Sequence, residues 1–244
     1  MSNFNGKLLS CKELALTLSL FYLPGIIMPP RLAGTEFNRP DFLAFILVTG
    51  LAEAGLVFYL VTHIGGRSLA DYGIKKPRGR DILFGLLSWI LVFPLLFLAA
   101  LALYFAIQHL PEEAFSSALP PFRWSYTNYL LLPVLFLVCM VTGYNEELFY
   151  RAYLPVEFFR LGMPFPFAVF LPVLLFGSGH FYQGTAGFAA ACLLGVYFTG
   201  VFRIAKNVNV PALAHGLYNF CVLLVSGIDF SRYLVEYPQF FSPP

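Results

Sequence analysis

Two adjacent carboxylates, Glu146 and Glu147, interrupt an apolar stretch of the sequence, and Arg151 follows four residues after the second of them. Residues four apart share one face of a helix, so Glu147 and Arg151 are predicted to form a supporting ion pair. Glu146 points about 100° away from that pair and lacks a neighbouring cation. A desolvated carboxylate without a partner suits a general base near neutral pH, which makes Glu146 the first candidate catalytic residue.

Three further polar residues in apolar segments have the chemistry to complete a hydrolytic site. His180 ends one such segment, and His215 and Asn219 lie four residues apart, on one face of a later helix. We expect His180 to share a water molecule with Glu146, and His215 and Asn219 to donate hydrogen bonds to an oxyanion. Together the four groups suit the attack of water on a carbonyl carbon. Taken singly, each also fits a structural role, as an interfacial histidine or a polar contact between helices.

The spacing of Glu146 and His180 around a turn supports this grouping. The sequence Gly162-Met163-Pro164 is typical of a helix end, and a hairpin centred on residue 163 leaves both residues 17 positions from the turn (163 − 146 and 180 − 163). At 1.5 Å per residue, each lies roughly 25 Å from the turn along its own helix. Glu146 and His180 are therefore predicted to face each other at one depth.

The elements that must position these residues are membrane helices. The chain has 244 residues, of which 59% are hydrophobic and only 11% charged, whereas soluble domains carry about 25% charged residues. A membrane helix needs roughly 20 apolar residues, and seven segments qualify: 13–29, 41–63, 82–109, 129–158, 164–181, 185–203 and 209–228. The tail 230–244 could add a short eighth element. We predict an all-α, polytopic transmembrane helix bundle with seven to eight membrane helices, in a single domain spanning 1–244.

The distribution of basic residues predicts the orientation. Lys and Arg concentrate in alternate loops, above all in the loop 64–81, and such loops face the cytoplasm. The N-terminus is therefore predicted to be cytoplasmic, and the compact chain suits the inner membrane of a bacterium. The formal net charge of +2 does not suggest a nucleic-acid partner. The expected partners are membrane lipid and a peptide or membrane-anchored protein substrate, while the oligomeric state is not predicted.

Three motifs in this order resemble the CPBP family, which comprises CAAX proteases and bacteriocin-processing enzymes and is also called the Abi family. Its EExxxR, FxxxH and HxxxN patterns correspond here to Glu146-Glu147…Arg151, Phe176…His180 and His215…Asn219. The similar region covers about residues 129–228. Ala152 stands where a glycine commonly follows the motif arginine, and Asn145 precedes the carboxylate pair; both departures leave the subfamily and the substrate open.

The resemblance implies a type II CAAX prenyl endopeptidase-like intramembrane peptidase. It implies that Glu146 and His180 activate water, that His215 and Asn219 stabilise the oxyanion, and that no metal is obligatory. In the same family pattern, Glu147 and Arg151 support the site. Whether the substrate is prenylated is not decided by these motifs.

Other functions remain open at this point. A zinc-dependent membrane metalloprotease could use Glu146, His180 and His215 as ligands with one open position, although the sequence contains no HExxH pattern. A proton-coupled transporter would account for Glu53, an isolated carboxylate in an apolar segment that matches no family motif. A self-immunity or scaffold protein of the same fold would need no catalysis. The expectation is therefore a peptidase without a cofactor, with zinc as the alternative.

Overall fold

The computed structural model describes residues 11–22, 36–107 and 128–226, and all regular structure within these ranges is helical. The α-helices are α1 (residues 11–22), α2 (Pro40–Tyr59), α3 (Gly79–Ile107), α4 (Leu132–Glu147), α5 (Leu154–Arg160), α6 (Phe165–Ser178), α7 (Gly184–Ala205) and α8 (Asn209–Ser226). Short 3₁₀ turns occupy Glu36–Asn38, Leu69–Tyr72, Tyr129–Leu131 and Phe181–Gln183. The predicted all-α class is confirmed.

Within the described ranges, four helical stretches are long and apolar enough to cross a membrane: Pro40–Ile64, Gly79–Leu103, Tyr129–Arg160 and Phe181–Ala205. Helices α6 and α8 are apolar but shorter. Large apolar side chains point outward, with Phe97 67%, Phe167 66% and Ile204 75% exposed, as expected of a surface that faces lipid. The chain is an integral membrane protein, and its helices correspond to the predicted segments; positions 23–29 and the tail 230–244 lie outside the described residues.

A π-helical segment, Leu148–Tyr153, joins α4 to α5 and contains Arg151. Pro155 follows in the first turn of α5. Proline lacks an N–H group and its ring clashes with the carbonyl four residues earlier, so an α-helical bond to Arg151 cannot form. The wider π turn accommodates this defect, and such turns are frequent at functional sites.

Two glycines let α4 and α8 approach closely. A Cβ atom on Gly143 would lie 2.6 Å from the backbone nitrogen of Gly216, and one on Gly216 would lie 3.0 Å from Cα of Met140. Only residues without a side chain permit this backbone contact. Because Glu147 lies one turn after Gly143, and His215 directly precedes Gly216, the contact brings these two polar side chains together.

A buried ionic cluster ties α1 to α5. Arg67 binds the carboxylate of Glu13, and its Nη1 lies 2.7 Å from Oε1 of Glu157. The hydroxyl of Tyr72 donates to the same Glu157 oxygen; burial raises the pKa of Tyr72, and this hydrogen bond raises it further. Arg67 belongs to the basic loop 64–81, but its side chain is only 7% exposed. Arg67 thus lies in a loop but forms buried ion pairs with Glu13 and Glu157.

Candidate active site

Glu147 and Arg151 form the predicted ion pair, with 3.2 Å between Oε1 and Nη1 and both side chains buried. The guanidinium carbon of Arg151 lies 4.2 Å from the ring centre of Phe176 and 5.9 Å from those of Tyr150 and Phe198. Among the described residues, none of its three nitrogens has a hydrogen bond of good geometry. The buried charge of Arg151 is therefore stabilised by one carboxylate and by aromatic faces.

His215 lies between the two glutamates. Its Nδ1 is 2.8 Å from Oε1 of Glu147, and its Nε2 is 3.4 Å from Oε2 of Glu146. The ring stacks on Phe198 at a centroid distance of 4.9 Å and is 3% exposed, so its orientation is fixed. Neither contact is predicted by the sequence pattern, which pairs Glu147 with Arg151 alone and leaves Glu146 without a neighbouring cationic group.

His180 follows the end of α6, and its ring is held by contacts with Phe176 in the last turn of that helix. Its Nδ1 lies 2.9 Å from the backbone carbonyl oxygen of Phe176, and its ring centre lies 4.8 Å from that of Phe176. A carbonyl oxygen can only accept, so Nδ1 carries the proton, and Nε2 of a neutral ring is an acceptor. His180 thereby presents a lone pair rather than an N–H group to its surroundings.

A cavity of about 210 Å³ brings the four candidate catalytic residues together. Glu146, His180, His215 and Asn219 all line it, and most of its remaining wall is apolar. Glu147 and Arg151 do not line it and lie behind His215. We refer to this space as the His215 cavity.

A second cavity, of about 500 Å³, shares part of this wall. Glu146 and His180 line both spaces, so they stand where the two meet. The second cavity is also lined by Glu53 and Asn145, and Nδ2 of Asn145 donates to Oε2 of Glu53 at 2.5 Å. We refer to it as the Glu53 cavity.

The sequence does not predict the contact between Glu53 and Asn145, although each residue is unusual in its segment. Glu53 stood out as an isolated carboxylate in α2, and Asn145 as a departure before the carboxylate pair in α4. A buried carboxylate requires a hydrogen-bond donor, and the side-chain amide of Asn145 is that donor for Glu53. The pairing itself depends on how α2 packs against α4, which sequence periodicity does not determine.

The alternative zinc site receives no support from the arrangement of the donors. Among the residues that the structure describes, no three His, Cys, Asp or Glu side chains are grouped so that they could hold a metal ion. No step is therefore assigned to a metal.

The fold and the site define a membrane helix bundle with a carboxylate–histidine centre that opens to internal cavities. Residues 128–221 match the family model described as "Type II CAAX prenyl endopeptidase Rce1-like". The match contains the six candidate site residues. It confirms the family resemblance and the enzyme class, a CAAX-type intramembrane endopeptidase. No curated protein and no solved structure is significantly similar to the chain.

Proposed function

We propose that this protein hydrolyses peptide bonds inside the membrane by metal-free activation of water. Glu146 and His180 hold the water, and His215 and Asn219 receive the negative charge that develops on the carbonyl oxygen. The observation that carries the proposal is the shared lining of the His215 cavity by these four side chains. The Rce1-like match supports the endopeptidase activity.

Two acceptors are available for the water. The side chain of Glu146 is 25% exposed, so its carboxylate is open to the cavity, and Nε2 of His180 is an acceptor because Nδ1 donates to Phe176. A water that donates one hydrogen to each would direct a lone pair away from both, toward a substrate carbonyl. Glu146 then takes the proton as the new C–O bond forms, and the leaving nitrogen receives it as the C–N bond breaks.

His215 is suited to the oxyanion role in its doubly protonated form. Because Nδ1 donates to the Glu147 carboxylate, Nε2 carries a hydrogen only when the ring is an imidazolium. In that form, His215 and Arg151 together balance the charges of Glu146 and Glu147, and a neutral set of buried charges is the least costly one. When a substrate carbonyl enters, the Nε2–H group and the amide of Asn219 can donate to its oxygen.

The surroundings favour a substrate that is itself in the membrane. The remaining wall of the His215 cavity is mainly apolar, which suits apolar side chains or a lipid-modified segment of a membrane-anchored protein. The distribution of Lys and Arg favours a cytoplasmic N-terminus, and the compact chain favours the bacterial inner membrane. The absence of a required cofactor remains a prediction.

A proton-coupled transporter would also place carboxylates along an internal cavity, as Glu53 and Glu146 are placed here. The family match favours hydrolysis. A self-immunity or scaffold protein would show neither activity, so an assay of peptide cleavage separates hydrolysis from both alternatives.

The test uses the purified full chain in liposomes with two quenched fluorescent peptides, identical except that one carries a farnesylated cysteine. Cleavage by the wild type is expected to survive a chelator and to fall at least about 100-fold in Glu146→Gln. The variant should keep its circular dichroism spectrum and melting temperature. Cleavage retained by Glu146→Gln, or lost on chelation and restored by zinc, would refute this mechanism. Comparison of the two peptides shows whether a prenyl group is needed.

A further inference from the structure

The Glu53 cavity differs chemically from the His215 cavity, although Glu146 and His180 line both. Its wall combines two carboxylates, Glu53 and Glu146, with several hydroxyl groups. None of the described residues that line it is a lysine or an arginine. Glu146 has His215 beside it, whereas Glu53 has no cationic side chain beside it among the described residues of this wall.

Three hydroxyl groups of this wall already use their hydrogens. Tyr22 and Ser178 both donate to the carbonyl oxygen of Leu175, each at 2.7 Å. Tyr150 donates to the hydroxyl oxygen of Tyr22 at 2.9 Å. These three residues consequently offer lone pairs to the cavity but no free hydrogen.

Asn145 adds a further acceptor. Its amide nitrogen is held by Glu53, whereas its oxygen Oδ1 has no hydrogen-bond partner among the described residues. The residue is only 5% exposed, and a buried acceptor without a donor is destabilising. Among the described residues, Glu53 therefore lines the cavity without a neighbouring cation and lies beside a buried amide oxygen that lacks a donor.

We propose that the Glu53 cavity binds a primary ammonium group. Such a group supplies what the wall lacks, namely three N–H donors and one positive charge. The acceptors available to it are the carboxylates of Glu53 and Glu146, which both line the cavity. Neutral donors such as water would satisfy the hydrogen bonds but not the charge.

The reaction proposed above produces such a group at this location, and the identity of the ligand rests on that reaction. Hydrolysis adds one water across the C–N bond: the hydroxyl goes to the carbonyl carbon, and one proton passes through Glu146 to the nitrogen. The carboxylic acid then gives its proton to the amine, which leaves a carboxylate and an ammonium ion. The new amino terminus of the released fragment is thus the ligand of the Glu53 cavity.

This assignment gives the substrate a direction. The acyl part of the scissile bond lies in the His215 cavity, where His215 and Asn219 meet its carbonyl oxygen. The amine part lies on the side of Glu53 and Asn145. Glu146 can serve both parts because it stands at the boundary, where it takes a proton from water and returns it to the nitrogen.

The test measures binding and needs no turnover. Two probes, Val-Leu-Ala amide and the analogue in which a hydroxyl replaces the amino group, are titrated calorimetrically into the purified full chain in detergent. The amine should bind the wild type at least about tenfold more tightly than the hydroxyl analogue, the factor expected for charged hydrogen bonds. In Glu53→Gln, which keeps the shape of the side chain, this preference should fall roughly tenfold.

Thr49→Val is the matched control, since Thr49 lines the same cavity but carries no charge; it should keep the full preference for the amine. Equal binding of both probes by the wild type, or an unchanged preference in Glu53→Gln, would refute the ammonium site. If the preference depends on Glu53 while no peptide is cleaved, the ammonium site stands and the proposed hydrolysis fails. If peptides are cleaved but both probes bind equally, only the present inference fails.

Discussion

Glu147 holds His215 through a contact of 2.8 Å between Oε1 and Nδ1. The same oxygen faces Arg151 at 3.2 Å, so one buried carboxylate joins the ion pair to a residue of the candidate site. Glu147 is therefore a positioning residue for the imidazole as well as the counter-charge of Arg151. This double role leads to a prediction that separates stability from activity.

Arg151→Ala leaves Glu147 as a buried carboxylate without its cation. Such a loss costs about 3–5 kcal/mol, so we expect a lower yield in membranes, a lower melting temperature and little activity. The double variant Arg151→Ala/Glu147→Gln removes both charges and should recover much of the stability. It should not recover activity, because the glutamine cannot stabilise a charged His215. A normal yield of Arg151→Ala, measured by fluorescence-detected chromatography, would contradict a stabilising ion pair.

Asn219→Ala removes one of the two proposed oxyanion donors. The loss of such a donor lowers kcat by about 10²–10³-fold in well-studied hydrolases, and KM should change little because the interaction forms mainly in the transition state. Steady-state kinetics with the quenched peptides measure both constants. Tyr218→Phe is the control, since Tyr218 lines the same cavity and has no assigned role. A similar loss of kcat in both variants would indicate a packing effect.

Gly143→Ala should disrupt the contact between α4 and α8. The added Cβ would lie 2.6 Å from a backbone nitrogen of Gly216, and backbone atoms cannot move aside as a flexible side chain can. We expect a clear drop in melting temperature and loss of activity, because Glu147 and His215 would be pushed apart. Gly200→Ala in α7 serves as the control, since nothing lies within 4 Å of its Cβ position. That change should be neutral or stabilise the helix by up to about 1 kcal/mol.

Arg67→Ala tests the cluster that ties α1 to α5. The change strands the carboxylates of Glu13 and Glu157, which are 4% and 0% exposed. We expect destabilisation by about 3–5 kcal/mol, seen as a lower melting temperature in detergent. Arg78→Ala removes an exposed arginine from the same loop and should have almost no effect. Equal melting temperatures of the two variants would show that the buried ion pairs contribute nothing.

The parts of this structure that follow from local rules could be predicted. The all-helical membrane fold follows from apolar segments of sufficient length, and the pairing of Glu147 with Arg151 follows from their four-residue spacing. The joint lining of two cavities by Glu146 and His180 is in keeping with their equal distance from the turn at residue 163. Each of these expectations needs only the rise and period of a helix.

The remaining contacts depend on how distant helices are rotated and packed. Asn145 meets Glu53 across 92 positions of sequence, and His215 meets Glu147 across 68. Hydropathy favours membrane insertion for each helix but does not say which polar side chains face one another. The burial of Arg67 was missed for a related reason, because a loop arginine is normally assigned to water until a carboxylate such as Glu157 is known to lie beside it.

The π segment between α4 and α5 changes the direction in which the side chains beyond it point. A π turn holds about one residue more than an α turn, so side chains beyond it are rotated by about 100° relative to an uninterrupted α-helix. Glu147 before the segment can thereby point at α8, while Glu157 beyond it points at Arg67 and Tyr72. Deleting one residue between positions 148 and 153 would rotate α5 relative to α4 more than it would shorten the helix. One of the two carboxylates would then lose its partner.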